Sequence, residues 1–168
     1  MLELASPFVS GFVHPLHGAD HLAAMLAVGM WGAIAGGRAI RVWPITFVAM
    51  MLVGFASAVS GIAVPFVNPA ISSSVVVLGL LVALAVNAPV WWGAAIIGLF
   101  AFFHGHVHGT EAATSSLLAY ASGLAIATGA LHAAGIGLCR VGSNSIGRVA
   151  LRTMGAVAAF GGVLAMVG

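Results

Sequence analysis

Residues 43–64 read WPITFVAMMLVGFASAVSGIAV, an unbroken stretch of 22 residues without a charged side chain. A helix needs about 20 predominantly apolar residues to cross roughly 30 Å of hydrocarbon, so this stretch reads as a bilayer span. The rest of the chain agrees. Of 168 residues, 62% are hydrophobic and 5% charged, and the mean hydropathy is +1.19; a soluble domain carries about a quarter charged residues. Comparable runs lie at 19–36, 72–88, 90–108, 112–138 and 149–168. The expected fold class is therefore all-α: a polytopic integral membrane protein of about six transmembrane helices, forming a single transmembrane domain over residues 1–168.

Turn chemistry marks the breaks: Gly36-Gly37-Arg38, Pro65 to Pro69, Asn87-Ala88-Pro89, Gly109-Thr110 and Gly142-Ser143-Asn144. Small residues four apart, at Gly32 and Gly36, Ser57 and Gly61, and Ala119 and Gly123, have the spacing that lets membrane helices approach closely. Cys139 is the sole cysteine, so neither an internal disulfide nor a thiolate metal cluster forms within one chain. Five arginines against three acids leave no basic stripe for nucleic acid.

The arginines set an orientation. Arg38 and Arg41 lie between helices one and two, and Arg140, Arg148 and Arg152 flank the connection between helices five and six. Four crossings separate these clusters, so both face one side, the cytoplasm by the positive-inside rule. Both termini then face the periplasm across a bacterial inner membrane. Trp31, Trp43, Trp91 and Trp92 are expected at the inner boundary, where amphipathic indoles sit. An outside start calls for a cleaved export signal, or for a first short segment that inserts without one.

Against this apolar background two polar clusters stand out. HPLHGADH at 14–21 and FHGHVHGTE at 103–111 hold six of the seven histidines and two of the three acids. Both are expected on the outer face. Pro15 suits a first helical turn, placing His14 near the cap. On a continuing helix His17, Asp20 and His21 share one face, and His104 and His108 repeat the four-residue spacing. Gly105 and Gly109 are expected to loosen that second end. His106 points about 160° away from its neighbours on an ideal helix. Glu111 is expected in the first turn of helix five, where an acid favours the helix dipole. His132, 21 residues beyond Glu111 and about 30 Å along a helix, is expected near the inner end.

Imidazole with carboxylate suits borderline divalent ions. The metal-ligand candidates are His14, His17, Asp20, His21, His104, His108, Glu111 and His132. No catalytic residue and no prosthetic group are expected; the bound ion is the substrate, Ni²⁺ or Co²⁺ ahead of Zn²⁺ or Cu²⁺. The plain structural readings compete throughout: a cap for His14, an interhelical hydrogen bond for His132, a dipole partner for Glu111.

HPLHGADHLAAMLAVGMWGA resembles the first signature of the HupE/UreJ proteins, HPxxGxDHxxxMxxxG, and FHGHVHGTE resembles their FHGxAHGxE, with Val107 replacing alanine. YASGLAIATGALHAAG, from Tyr120, is similar to a third family stretch. The resemblance implies nickel or cobalt uptake for hydrogenase or urease maturation. It carries His14, Asp20, His21, His104, His108 and Glu111 as motif positions, with His132 from the third stretch, while His17 and His106 fall at variable positions.

The expected activity is secondary import. No GxxxxGK[ST] is present to bind a nucleotide, and an inside-negative potential draws a double charge inward with about 4.6 kcal/mol per 100 mV. Ligand imidazoles must be neutral, so uptake is expected to fall as external pH drops through about 6.5. Three rivals compete: an intramembrane metal-dependent hydrolase, which lacks an HExxH here; a bis-histidine haem subunit; and a metal-sensing membrane subunit. Expected partners are the divalent ion, the lipid bilayer, urease or hydrogenase accessory proteins and a second copy of the chain, with no nucleic acid.

Overall fold

The computed structural model describes residues 6–112, 114 and 116–167. Among them are seven α-helices: α1 Pro7–His17, α2 Ala19–Ala35, α3 Ala39–Val59, α4 Val67–Ala83, α5 Val90–Glu111, α6 Leu117–Val141 and α7 Ser145–Val167. By length and composition α3, α5, α6 and α7 each suffice to cross a bilayer, α4 is a shorter apolar helix of 17 residues, and α1 with α2 forms a pair bent by 85°. The chain is an all-α, multi-pass membrane protein, and α2 to α7 are the six runs expected from hydropathy.

Helix directions follow from close backbone contacts. Gly54 packs on Phe102 and His106, and Gly105 and Gly109 pack on Met51 and Phe55, so α3 and α5 run parallel. Gly79 meets Gly155 and Ala159 while Gly162 meets Val76 and Ser72, so α4 and α7 run antiparallel. Each close approach lacks room for a Cβ, which is how small residues let membrane helices associate. Of the residues in the three small-residue pairs anticipated, Gly123 behaves this way: it lies against Phe8 and Phe12 of α1. Gly36 and Gly61 instead end helices with φ of 72° and 79°, a left-handed backbone that favours glycine.

One end of the bundle gathers Arg38 and Arg41 before and in the first turn of α3, Arg140 in the last turn of α6, and Arg148 and Arg152 on α7. Arg152 donates from Nε to the Ala83 carbonyl at 2.7 Å, tying α7 to the end of α4. Trp31 and Trp43 stand toward the arginine end as expected, but they face inward. Both are fully buried, with ring centroids 4.1 Å apart, and donate to the carbonyls of Val86 and Val90 at 2.8 and 2.9 Å. They close the interior of the bundle. Only Trp91 and Trp92 are exposed as boundary indoles are.

The first signature folds differently from a single helix entered at Pro15. Ser6 caps α1, accepting from the Val9 N–H at 3.4 Å, and Pro7 takes the first turn. His14, Pro15 and His17 therefore end α1. Pro15 has no N–H to continue the ladder, and Gly18, extended at φ −97° and ψ 117°, starts α2 in a new direction. His17 and the Asp20–His21 pair thus stand on separate helices, and the shared face expected for the three does not exist.

The second signature also differs. Gly105 and Gly109 do not loosen α5; they seat it on α3, and the helix continues to Glu111. Glu111 closes α5 instead of opening α6. A carboxylate at a helix C-terminus is opposed by the dipole, so the dipole role expected for Glu111 is overturned and another partner must hold it.

Candidate metal centre

That partner is His14. Its Nε2–H donates to Glu111 Oε2 at 3.0 Å, joining the last turn of α1 to the last residue of α5. Both are partly open to solvent, with side chains 32% and 51% exposed. One donor atom each from His14, His108 and Glu111 lies within 4.8 Å of the others. Two ligands at right angles on an ion about 2.1 Å away lie about 3 Å apart, so His14 and Glu111 already have a ligand spacing. His108, fully buried, has only to turn toward them.

His108 connects this mouth to a second group. Its ring lies 4.9 Å from that of His14 and 4.5 Å from that of His21, and His21 lies 4.9 Å from His104. The histidines form a row descending from the solvent end into the bundle. His14 comes from α1, Asp20 and His21 from α2, and His104, His108 and Glu111 from α5, which turns in one residue pair per helical turn at His104 and His108. The six motif positions thus meet at the end of the bundle opposite the arginines.

Hydrogen bonds fix what each imidazole offers. Asp20 Oδ1 accepts from the backbone N–H and from Nδ1–H of His21, both at 2.8 Å, leaving the buried Nε2 lone pair without a partner. Gly18 permits this fold-back: a Cβ there stands 2.8 Å from Asp20 Oδ1. Ser74 donates its hydroxyl to the Ile71 carbonyl at 2.6 Å, so it accepts from Nε2–H of His104 at 2.8 Å. His104 Nδ1 is thereby the bare nitrogen. Both nitrogens of His108 lack partners. An imidazole that donates one N–H to a protein oxygen and presents the other nitrogen is the usual arrangement of a metal-ligating histidine. Left without ligands, buried polar atoms of this kind are costly.

Three other histidines behave differently. His17 is exposed and forms no hydrogen bond, ion pair or ring contact with the cluster among the described residues. His106 turns to α3, where Ser57 donates to Gly54 and accepts from Nδ1–H of His106 at 3.0 Å, in keeping with its predicted direction. His132 lies 15 residues into α6, about 22 Å along the helix. It is buried within the bundle instead of near the inner end, and Nδ1–H donates to the Met25 carbonyl at 2.7 Å.

Residue types alone did not single out Ser74 as the partner of His104 or Ser57 as that of His106. Tyr120, whose buried hydroxyl lacks a partner, sits 5.9 Å from the His14 ring. It is the only tyrosine in the chain, a signal that was available. Ser72-Ser73-Ser74 inside a mostly apolar helix was another.

The family model described as HupE / UreJ protein matches residues 1–165. Protein HupE of Rhizobium leguminosarum bv. viciae is 42% identical over 161 residues, which cover 95% of this chain and 84% of that relative. No solved structure matches the fold. With a match that runs across nearly every helix described above, the chain belongs to the HupE/UreJ family.

Proposed function

We propose that the protein is a secondary importer of a divalent transition-metal ion, Ni²⁺ first and Co²⁺ second, that supplies urease or hydrogenase maturation. The observation that carries this reading is the meeting of His14, His108 and Glu111 within 4.8 Å at one end of a membrane bundle, continued inward by His21 and His104. Membership of a family associated with nickel and cobalt uptake supports it.

The arginine end faces the cytoplasm of a bacterial inner membrane in this reading, and the histidine mouth with both termini faces the periplasm. An ion arriving at the mouth exchanges part of its hydration shell for His14, Glu111 and His108. His14 binds it through whichever ring nitrogen is bare, the proton moving to Nδ1 when Nε2 is the ligand, since a ligand nitrogen must carry no proton. His21, oriented by Asp20, and His104, oriented by Ser74, take the ion deeper. An inside-negative potential supplies about 4.6 kcal/mol per 100 mV for a double charge, which drives entry without a nucleotide. The ion is cargo, and the acids serve as ligand and orienting group and not as a catalytic base.

Uptake of radiolabelled nickel into proteoliposomes tests the reading. Saturable influx that disappears in His21→Ala and Asp20→Ala, with both variants folded, supports it. Ion binding without influx in the unaltered protein overturns it in favour of a metal sensor or hydrolase.

A further inference from the structure

We propose that the arginine end of the bundle carries a binding site for one anionic phospholipid, its phosphodiester held by Arg148 and Arg152 and its acyl chain laid in the cavity beside them. The inference does not depend on the import reading and concerns the end of the bundle away from the histidines.

A cavity of about 450 Å³ lies between the ends of α2, α4, α6 and α7, within the range of pockets that hold a small ligand, about 300–1,000 Å³. Its walls are mostly apolar, Ala33 and Ile34 of α2 and Val149 and Leu151 of α7 among them. Arg148 and Arg152 line it as well. They stand four apart on α7, which puts them on one helix face, and both are exposed.

Arginine is a fork of donors with no acceptor. Arg152 donates from Nε to the Ala83 carbonyl, which leaves its two terminal nitrogens without a hydrogen-bond partner among the described residues. Arg148 donates from Nη1 to the Ser143 carbonyl at 2.7 Å and from Nη2 to the Ser145 hydroxyl at 3.5 Å, and its Nε–H is left over. Neither guanidinium has a carboxylate beside it. The two described acids, Asp20 and Glu111, both pair with histidines at the opposite end, so the positive charge at the cavity is uncompensated.

This chemistry selects the occupant. Guanidiniums without an acid repel a dication, and their planar forks match phosphate oxygens. Apolar walls beside the charges disfavour a small hydrated anion and suit one that carries a hydrocarbon tail. Such an amphiphile stands at this level of the bilayer: the exposed indoles of Trp91 and Trp92 mark the same boundary, and basic pockets between transmembrane helices hold anionic head groups. Filling the cavity, the lipid braces the start of α7 against α2 and α6.

Native mass spectrometry of the delipidated full chain in detergent, titrated with phosphatidylglycerol, tests this. One equivalent is expected to bind, at least about tenfold more tightly than phosphatidylcholine with the same acyl chains, and to raise the melting temperature. The double variant Arg148→Gln, Arg152→Gln removes the charges, while Ala33→Phe fills the cavity with both arginines in place; each is expected to weaken that equivalent at least about tenfold. Arg140 stands at the same end but does not line the cavity, and Arg140→Gln should leave binding unchanged. If the double variant fails to fold, because Arg152 also ties α7 to α4, Ala33→Phe and the two lipids decide the question. Equal binding of both lipids, an undiminished equivalent in a folded Ala33→Phe protein, or a matching loss in Arg140→Gln overturns the site. Displacement by glycerol phosphate as effective as by the lipid assigns the arginines to a free phosphate compound and overturns the lipid as occupant.

Discussion

His14 and Glu111 are 97 positions apart in sequence and meet at 3.0 Å, the imidazole ending one helix and the carboxylate ending another. The dipole of α5 disfavours a negative charge at that end, and the His14 imidazole is the hydrogen-bond partner that offsets it. Glu111→Gln keeps a hydrogen-bond acceptor for His14 and removes the charge. Nickel uptake at limiting concentration is expected to fall at least about 10-fold, since loss of even a group that only orients a ligand costs about 10–100-fold and here a ligand loses its charge. The melting temperature in detergent should barely move, because a solvent-exposed pair contributes about 0–1 kcal/mol. A large drop in melting temperature with uptake preserved would make the pair structural.

Asp20 acts on His21 through one carboxylate oxygen that takes both the backbone and the ring N–H. Asp20→Asn retains an acceptor and is expected to weaken ion binding less than Asp20→Ala, which releases the ring. Gly18→Ala should mimic the stronger defect without touching a donor, since its Cβ would stand 2.8 Å from Asp20 Oδ1 and 2.9 Å from His21 Nδ1. Ion titration of the three purified variants checks the order; equal affinities would show that Asp20 does not orient His21.

Ser74 and Ser57 make equivalent bonds to different histidines, His104 in the row and His106 outside it. Changing either serine to alanine strands a mostly buried imidazole N–H, at about 1–3 kcal/mol of stability. Only Ser74→Ala is expected to slow uptake as well, because it frees His104 to present the wrong nitrogen. Thermal melts and uptake measured side by side decide this, and a transport defect in Ser57→Ala would put His106 on the ion's route.

Glycines on α5 and α6 should respond in opposite directions to one added methyl. Gly105→Ala drives a Cβ into the Met51 backbone, which cannot yield as a side chain can; overpacking of this kind destabilises by about 1–3 kcal/mol. Gly129→Ala meets nothing within 4 Å and is expected to stabilise α6, by up to about 0.5–1 kcal/mol from the helical preference of alanine. Folded yield and melting temperature distinguish the two.

Spans, their approximate number and the grouping of arginines were legible because each follows from local composition. Hydrocarbon thickness selects run length, and loop charge selects sides, without reference to what packs on what. The candidate donors were legible for a similar reason: a histidine or acid in so apolar a chain is conspicuous wherever it falls. Helix boundaries were less so. Gly109-Thr110 has the chemistry of a turn, yet α5 passes through it because Gly109 is where that helix touches Phe55 of α3. A glycine that permits contact and a glycine that ends a helix are the same letter.

The hydropathy pattern was enough to predict a membrane bundle, and the two histidine-acid signatures to mark its candidate metal donors. Which nitrogen each donor presents, that His17 stands apart while His108 links two groups, and that Glu111 ends α5 against His14 emerged from packing alone. The reason is that ligand geometry depends on the bend at Gly18 and on acceptors such as Ser74 and the Met25 carbonyl, which are remote in sequence and ordinary in type. Spacing along a chain describes one helix at a time, whereas an ion is bound by several.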